Sequence, residues 1–363
     1  MGDILQVGII GAGHVGAKRA QAIAQSPGAR LVAVADADAA RAQAFAEAHA
    51  CRALADGEAL AALPELDAVV VATPHQWLAP LSLAALEAGK HVLCEKPLAR
   101  TAAEAELLVT ASERRGKRLK AGFNHRHHPA ILEAHRRAAA GSIGRLLFLR
   151  CRYGHGGRLG YEREWRADPA QSGGGELLDQ GIHALDLFRW FLGDFTEVSA
   201  VLQQAFWPTL VEDNAFCLLR TEAGQVASLH ASWTQWKNLF SFEVFGEHGY
   251  LIVEGLGGSY GRERLVAGER PAEFGAPAEQ CFEYNGGDAS WAAEWEEFAA
   301  AIREDRPPLA DGRDGWQALR LAEAAYASAR ARRVIHLAQG ESHAQRRVHL
   351  ELSRGRSASG RDD

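Results

Sequence analysis

Three polar side chains in the 363-residue sequence are of types that move protons. Lys96 lies between Glu95 and Pro97 at the end of a strand-like segment. A residue before proline is held in extended geometry, so the lysine side chain leaves the strand end and does not enter a helix. Asp179 and His183 are four residues apart, which on a helix places them on one face. Because a carboxylate beside an imidazole fixes its tautomer and raises its basicity, the pair predicts a general base.

A glycine-rich turn follows the first strand-like segment and consists of Gly11, Ala12, Gly13, His14, Val15 and Gly16. In a G-x-G-x-x-G turn the first glycine permits the tight bend, the second lets the backbone approach a pyrophosphate, and the third allows close helix packing. Asp36 stands at the end of the second strand-like segment, where a carboxylate accepts hydrogen bonds from a ribose hydroxyl. These residues predict an NAD site, and Arg41 nearby leaves NADP open as the less favoured cofactor.

The elements that must position these residues fall into two parts. Short strand-like segments at 6–10, 31–35, 68–72, 91–94 and 118–122, several of them rich in β-branched residues, alternate with alanine-rich helical stretches, which predicts a parallel sheet. A capping box at 101–104 and a glycine stop at 116 bound one of these helices. Longer segments at 146–153, 198–206, 215–221, 225–233 and 240–245 follow with turn signals, which favours an antiparallel sheet. Helices at 290–303 and 315–332 complete the prediction.

Composition excludes several classes of protein. Forty Lys and Arg against 46 Asp and Glu give a net charge of -6, which disfavours nucleic acid and anionic membrane surfaces as partners. The five cysteines form no C-x-x-C pair, so they are expected to be reduced thiols of a cytoplasmic protein. No apolar stretch approaches the roughly 18 residues that a membrane helix needs. No metal site is expected.

The motifs, in their order and spacing, resemble those of the Gfo/Idh/MocA oxidoreductase family, which is named after glucose-fructose oxidoreductase and inositol dehydrogenase. The likeness covers nearly the whole chain. It is carried by the glycine turn, Ala72-Thr73-Pro74, Glu95-Lys96-Pro97, Gly122-Phe123-Asn124-His125-Arg126, Asp179 with His183, and the stretch from Phe245 to Leu251.

The resemblance implies an α/β fold with two domains and a tail. An N-terminal Rossmann dinucleotide-binding domain, residues 1–122, would precede a C-terminal α+β domain, residues 123–340, with a large, mostly antiparallel open sheet. Residues 341–363 are expected to be a disordered tail. The active site would lie between the domains, and the far face of the sheet would form a homodimer or homotetramer.

The resemblance also implies roles for individual residues. Lys96 would be the catalytic lysine, Asp179 would orient His183, and Lys96 and His183 would bind the substrate hydroxyl whose carbon gives a hydride to NAD. Which of the two protonates the ketone in the reverse direction stays open. The nicotinamide end would be lined by Thr73, Pro74, His75, Glu95, Lys96, Asn124, Trp165 and Arg166.

The substrate class implied by the resemblance is a sugar, a sugar nucleotide or a cyclitol. Polar and aromatic residues expected near the cleft could bind its hydroxyls, an anionic group or a ring face. These candidates are Arg126, His155, Arg158, Tyr161, Trp236 and Lys237.

Three alternatives stay open from the sequence. Asp179, His183 and Asp186 share a helix face and could instead bind a metal ion. Some relatives are glycosidases that oxidise a sugar transiently with bound NAD, and others bind NAD without chemistry and act as regulators. A short-chain dehydrogenase is excluded, because none of the six tyrosines begins a Y-x-x-x-K motif.

Overall fold

The chain forms two sheets with their helices in a computed structural model that describes residues 4–273 and 275–337. The tail expected at 341–363 lies outside these residues. No helix in the described ranges is long and apolar enough to cross a bilayer.

The first sheet is parallel and has six strands. These are β1 Leu5–Ile10, β2 Ala29–Ala35, β3 Arg52–Leu54, β4 Ala68–Val71, β5 His91–Cys94 and β6 Leu119–Ala121. The helices between them are α1 His14–Ala24, α2 Ala39–His49, α3 Gly57–Ala61, α4 His75–Glu87 and α5 Ala102–Arg115. The strand order is β3-β2-β1-β4-β5-β6, which is the Rossmann order, so the predicted dinucleotide-binding fold is confirmed.

Helix α5 shows how the local sequence sets these boundaries. The Thr101 hydroxyl accepts a hydrogen bond from the Glu104 N–H at 3.1 Å, as the capping box predicts. The Glu104 carboxylate does not complete the box at Thr101 and accepts from the Arg100 N–H instead. Gly116 ends the helix with φ +62°, a conformation that glycine adopts without strain.

The second sheet has nine strands. The chain enters it through a 3₁₀ turn at Asn124–His127 and helix α6 Pro129–Ala139. Its strands are β7 Leu146–Gly154, β8 Phe195–Gln203, β9 Asn214–Thr221, β10 Val226–Ser232, β11 Leu239–Gly246, β12 Gly249–Glu254, β13 Glu263–Glu269, β14 Ala278–Tyr284 and β15 Ile335–His336. The order is β14-β13-β12-β11-β7-β10-β9-β8-β15, and every neighbouring pair is antiparallel except β7 with β10. The mostly antiparallel second sheet is therefore confirmed.

Four helices follow in this part of the chain: α7 Pro169–Ser172, α8 Ile182–Leu192, α9 Ser290–Arg303 and α10 Gly312–Ala331. Helices α8 and α10 contact the second sheet, whereas α7 packs against α4 and α9 packs against α1. Helix α8 is preceded by a π-helical turn at Leu177–Gly181, and further 3₁₀ turns lie at Tyr161–Arg163, Trp165–Ala167 and Gly258–Tyr260. Helices α8 and α10 pack on the inner face, where the alternating side chains of β9 are buried while those between them are exposed.

Helix α9 packs on the first sheet's side of the molecule although it lies late in the sequence. Trp295 and Phe298 are buried in one hydrophobic cluster with Ile9, Ile23 and Val70 of the Rossmann fold. The helix predicted at 290–303 is thus observed, with Trp295 and Phe298 on its buried face. The core of the nucleotide-binding fold is completed by residues from the far end of the chain.

Candidate active site

Lys96 and Asp179 meet at the carboxyl end of the parallel sheet, 83 residues apart in sequence. Lys96 follows β5, and its peptide bond to Pro97 is cis. Its Nζ donates to the Asp179 backbone oxygen at 2.5 Å and to Asp179 Oδ1 at 3.1 Å. The other carboxylate oxygen of Asp179 lies 3.3 Å from Arg166 Nε. Two cations therefore hold one carboxylate at the place where ligands of this fold bind.

The Asp179 carboxylate is ionised although it is buried. Burial raises its pKa, but the charges of Lys96, Arg166 and His75 more than offset that effect and hold the pKa below its ordinary value. A fixed negative charge here keeps the Lys96 ammonium in place, so a substrate oxygen can approach an oriented cation.

His183 is neutral, and it is positioned differently from the prediction. Burial lowers its pKa well below the ordinary imidazole value, and Lys96 lowers it further. The expectation that Asp179 orients His183 is corrected, because both carboxylate oxygens of Asp179 face Lys96 and Arg166. The physical reason is the change from π to α geometry between the two residues, which breaks the spacing of a uniform α-helix. The His183 ring instead stacks on His125 with centroids 3.8 Å apart.

Some of the residues predicted at the nicotinamide end lie near Lys96 and Asp179. Thr73 precedes α4 with its Oγ1 buried and without a hydrogen-bond partner among the described residues. His75 Nδ1 lies 2.8 Å from the Ser172 backbone oxygen, and its ring packs edge-on against Trp165. Arg166 belongs to the Asp179 cluster, with its guanidinium over the Trp165 ring. Pro74 is the N-cap of α4.

Two of those predicted residues, Glu95 and Asn124, bind other side chains of the protein. The Glu95 carboxylate forms a buried ion pair with Arg19 at 2.5 Å. The Asn124 amide donates to Ser290 Oγ at 2.9 Å and accepts from His125 Nδ1 at 3.2 Å. Both side chains therefore support the site from behind.

The glycine turn has the shape that a dinucleotide requires. Gly11 has φ +107°, and a Cβ there would lie 2.4 Å from the Ala72 backbone oxygen. A Cβ on Gly16 would lie 1.9 Å from the Gly11 oxygen, whereas one on Gly13 would meet nothing within 4 Å. The second glycine therefore faces open space, where a pyrophosphate can approach.

The N-terminus of α1 and the second strand complete this cradle. Gly13 is the N-cap of α1 and provides no side-chain cap, so the helix N-terminus is available to an anion. The Asp36 carboxylate accepts from the Ala12 N–H at 2.8 Å and from the Asp38 N–H at 2.9 Å. It is thereby fixed beside the turn, and its negative charge suits a ribose hydroxyl and repels a phosphate. His14 is exposed and Val15 half-buried beside this turn. These residues fit NAD.

Of the residues predicted to bind substrate, Tyr161 lies in the hydrophobic core, whereas His155 and Arg158 do not. His155 Nδ1 accepts from the Gly157 N–H at 2.9 Å, so its other ring nitrogen carries the proton. Arg158 is exposed and forms an ion pair with Glu164. Tyr161 is 1% exposed and packs edge-on against Trp233, so its ring belongs to the hydrophobic core. This corrects the expectation that Tyr161 faces the substrate.

Trp236 and Lys237 lie on an exposed loop after β10. Trp236 has φ +56° and packs edge-on against Phe206, with ring centroids 4.8 Å apart. Such a backbone conformation is uncommon for a bulky residue and persists where its surroundings enforce it. The loop is tied to the predicted substrate segment, because the Gln235 N–H donates to the His155 oxygen at 3.3 Å.

Arg126 is a structural residue. It is 3% exposed, donates two hydrogen bonds to Asp186, at 2.5 and 2.8 Å, and donates a third to Asp314 at 3.0 Å. This corrects the expectation that Arg126 binds an anionic substrate group. It also removes Asp186 from the proposed metal ligands. In residues 4–273 and 275–337, no group of three or more His, Cys, Asp or Glu side chains is placed to hold a metal ion.

Sequence reasoning missed the buried polar groups behind the site. Arg19 on α1 is 1% exposed and pairs with Glu95 and with Glu294 of α9. Lys120 is fully buried, with its Nζ 3.2 Å from Glu297. A signal existed for Arg19, because it shares the helix face of the buried residues Gly16 and Ile23. A cation on an apolar helix face predicts a buried ion pair.

Acidification is expected to destabilise the protein as the pH falls from about 6.5 towards 4. Burial lowers the pKa of His75 to about 4, whereas an imidazole in the unfolded chain titrates near 6.5. The unfolded state therefore binds more protons in this window, and stability that is present above pH 6.5 is lost on acidification. For His75 alone the loss is about 3 kcal/mol. Urea unfolding midpoints at pH 7.5, 5.5 and 4.5 measure it.

The control compares two histidines. His75→Gln is expected to reduce this pH dependence, because the variant lacks one buried imidazole while His125 and His183 keep theirs, whereas substitution of the exposed His14 by Gln leaves it unchanged. A wild-type midpoint that stays constant from pH 7.5 to 4.5 would contradict the prediction.

The parallel sheet, its glycine cradle and the adjoining acid–base cluster define a dinucleotide-binding oxidoreductase. Family comparison agrees: residues 5–123 match the oxidoreductase family with an NAD-binding Rossmann fold, and residues 131–252 match the GFO/IDH/MocA C-terminal domain. The chain belongs to the Gfo/Idh/MocA family.

Several curated relatives are dehydrogenases or reductases of sugars and cyclitols. Inositol 2-dehydrogenase of Rubrobacter xylanophilus is 31% identical over 332 residues, which is 90% of this chain and 91% of that protein. Levoglucosan dehydrogenase of Pseudarthrobacter phenanthrenivorans is 30% identical over 226 residues, 52% of this chain and 55% of that protein. The match to 1,5-anhydro-D-fructose reductase of Ensifer adhaerens is 37% identical over 196 residues and also spans about half of each protein, 52% of this chain and 57% of that one.

Solved structures share the whole fold. A levoglucosan dehydrogenase in complex with NADH superposes with a TM-score of 0.87 at 25% identity, over 93% of this chain and 100% of that one. The likeness covers both sheets.

Proposed function

We propose that this protein is an NAD-dependent oxidoreductase that transfers a hydride between nicotinamide and a secondary alcohol of a sugar, sugar derivative or cyclitol. The observation that carries the proposal is the cluster of the Lys96 ammonium, the ionised Asp179 and the neutral His183 beside a dinucleotide cradle. The names of the relatives support the substrate class.

The cofactor would be held by the first sheet and the elements beside it. The α1 N-terminus and Gly13 would receive the pyrophosphate, Asp36 would bind the adenosine ribose, and Thr73 Oγ1 would be a buried donor and acceptor towards the nicotinamide end. Bound NAD would supply the hydride acceptor, C4 of its nicotinamide.

Lys96 and His183 act on the substrate hydroxyl, whose proton must leave when the hydride is transferred. Two contacts fix the Lys96 ammonium on Asp179, and the ammonium stabilises the negative charge that grows on the substrate oxygen. Neutral His183 has a lone pair and accepts the hydroxyl proton as the C–O bond becomes a carbonyl. The alcohol thus loses a hydride and a proton, and His183 releases the proton to solvent. In the reverse direction the His183 imidazolium returns it.

The test is a panel of sugars, cyclitols and nucleotide sugars scored for NADH formation at 340 nm. Steady NADH formation from a free polyol supports the dehydrogenase and excludes the transient-oxidation glycosidase. Leaving-group release from a glycoside without net NADH would favour the glycosidase. NADH binding with no turnover across the panel would favour a regulator.

Replacing Asp36 by Ser is expected to reverse part of the cofactor preference. The variant loses the charge that binds the ribose hydroxyls and repels a phosphate, while the half-exposed Arg41 remains to receive one. Hydrogen bonds to a charged group contribute about 1.5–3 kcal/mol, so the Kd of NADH should rise about 10- to 100-fold relative to that of NADPH. Fluorescence titration with each nucleotide measures the ratio.

Asp38→Ser is the matched control, because this carboxylate caps α2 and is more exposed than Asp36. We expect the control to keep the wild-type NADH preference. An unchanged ratio in the Asp36 variant would show that this carboxylate does not contact the cofactor.

We also propose that the outer face of the nine-stranded sheet joins copies of the chain into a homodimer or homotetramer in the cytoplasm. Val201, Phe216 and Leu218 on that face are 58%, 41% and 55% exposed, and such apolar patches mark interaction surfaces. Free cysteines suit a reducing compartment. Sedimentation velocity should show an oligomer for the wild type and a shift towards monomer for Leu218→Glu. A monomeric wild type would overturn the proposal.

A further inference from the structure

The orientation of His183 is set by ring contacts. Asp179 is held by Lys96 and Arg166, and His183 Nδ1 is buried without a hydrogen-bond partner among the described residues. The His125 ring lies face to face with it at 3.8 Å and an interplanar angle of 22°, while Phe123 meets it edge-on at 5.7 Å. A base that must present one nitrogen to substrate needs a fixed ring plane.

We propose that His125 is the positioning residue for His183: its stacked ring holds the plane of the base, the part that Asp179 does not play in this chain. The inference rests on the proposed function in that it takes His183 as the base. His125 acts through His183 and is not itself a catalytic residue.

A chain of hydrogen bonds fixes the tautomer of His125. The Asp288 carboxylate can only accept, so Ser290 Oγ, 2.5 Å away, donates to it. Ser290 Oγ in turn accepts from the Asn124 amide N–H at 2.9 Å, which directs the amide oxygen of Asn124 towards His125. His125 Nδ1, 3.2 Å from that oxygen, must therefore donate. This chain of hydrogen bonds, which ends at Asp288 on the protein surface, holds the His125 ring as the Nδ1–H tautomer.

A neutral partner is also the right one electrostatically. Burial lowers the pKa of His125 well below its ordinary value, so the ring carries no charge. When His183 takes the substrate proton, the new imidazolium lies against a neutral aromatic face, which attracts a cation. The charged or titratable groups that face the stack from neighbouring elements are Lys96, Arg19, His128 and Tyr153. If His125 were charged, it would repel the His183 imidazolium across the stacking distance of 3.8 Å.

Two substitutions at one position separate stacking from hydrogen bonding. His125→Ala removes the ring, and we expect kcat/KM to fall about 10- to 100-fold because the base is misoriented. The acid limb of the pH profile should also move to higher pH, because water entering beside His183 weakens the burial that lowers its pKa. His125→Phe keeps a flat ring and should restore kcat/KM to within about threefold of wild type, with the acid limb in its original place.

A second stacked histidine supplies the matched control. His135 stacks on Trp190 with centroids 3.7 Å apart and an interplanar angle of 6°, outside the cluster. His135→Ala and His135→Phe should leave the pH profile as in wild type. Wild-type kcat/KM in His125→Ala would overturn the proposal, and so would equal losses in His125→Ala and His125→Phe.

Long-range ¹⁵N–¹H spectra of the histidine-labelled full chain test the inference without turnover. His125 should be the neutral Nδ1–H tautomer, and the upfield ring-current shift on His183 should vanish in His125→Ala and persist in His125→Phe. An Nε2–H tautomer, or a His183 shift that does not respond, would overturn the proposal even if the polyol panel succeeds. If the panel fails while these spectra agree, the stack stands and the proposed reaction is wrong.

Discussion

Replacing Lys96 by Ala is expected to reduce kcat for polyol oxidation by about 10²- to 10³-fold, the effect of losing one preorganised donor to a developing oxyanion. The alanine also removes one of the cations that hold the Asp179 carboxylate, leaving Arg166. The Kd of NADH should stay near its wild-type value, because the cradle around Gly13 and Asp36 is untouched. Steady-state kinetics on the best polyol of the panel and a fluorescence titration measure the two quantities.

The matched control is Lys117→Ala, a lysine substitution beyond the end of α5 and outside the cluster. We expect it to retain wild-type kcat. Normal turnover by the Lys96 variant would remove this residue from the mechanism, and a parallel loss of NADH binding would place its effect on the cofactor.

The second large effect is expected from Arg19→Met. The guanidinium is the shared partner of Glu95 and Glu294, all three side chains being less than a tenth exposed. Removing one partner of a buried ion pair leaves uncompensated charge and typically destabilises a protein by about 3–5 kcal/mol. Unfolding in urea should show this loss in the free energy of unfolding.

Two further variants identify the cause. Arg19→Met with Glu294→Gln should recover part of the loss, because the neutral amide no longer requires a counter-charge. Arg145→Met breaks the exposed pair with Glu247 and should leave the unfolding midpoint near that of wild type. If both arginine variants unfold at the same urea concentration as wild type, the buried network does not stabilise the fold.

Features with a short-range cause were predicted correctly. The glycine turn and the Thr101 N-cap of α5 depend on residues a few positions apart, so the local sequence determines them, whereas the Glu104 half of the predicted capping box did not form. Strand β5 was predicted with its observed bounds, because its short apolar run ends at a proline motif. Strands β3 and β12 to β14 were not predicted as separate elements, since their pairing depends on neighbours in the sheet.

Partners distant in sequence could not be predicted from pattern. Arg126 meets Asp186 and Asp314, 60 and 188 residues away, and nothing local distinguishes it from a ligand-binding arginine. Asp179 and His183 were identified, but their contacts depend on a π turn that residue spacing does not reveal. The type of chemistry could therefore be predicted, whereas the arrangement of its groups required the structure.

The packing of α9 beneath the first sheet affects how the chain folds as it is synthesised. The glycine cradle lies within the first forty residues, yet Trp295 closes the core beneath it, and Glu294, which neutralises Arg19, is synthesised 275 residues after that arginine. We therefore expect a nascent chain that stops before residue 290 to expose apolar surface on its nucleotide-binding sheet and to bind NADH weakly. Synthesis of the carboxyl-terminal helices, rather than of the sheet itself, would then mark the moment at which the protein acquires its cofactor.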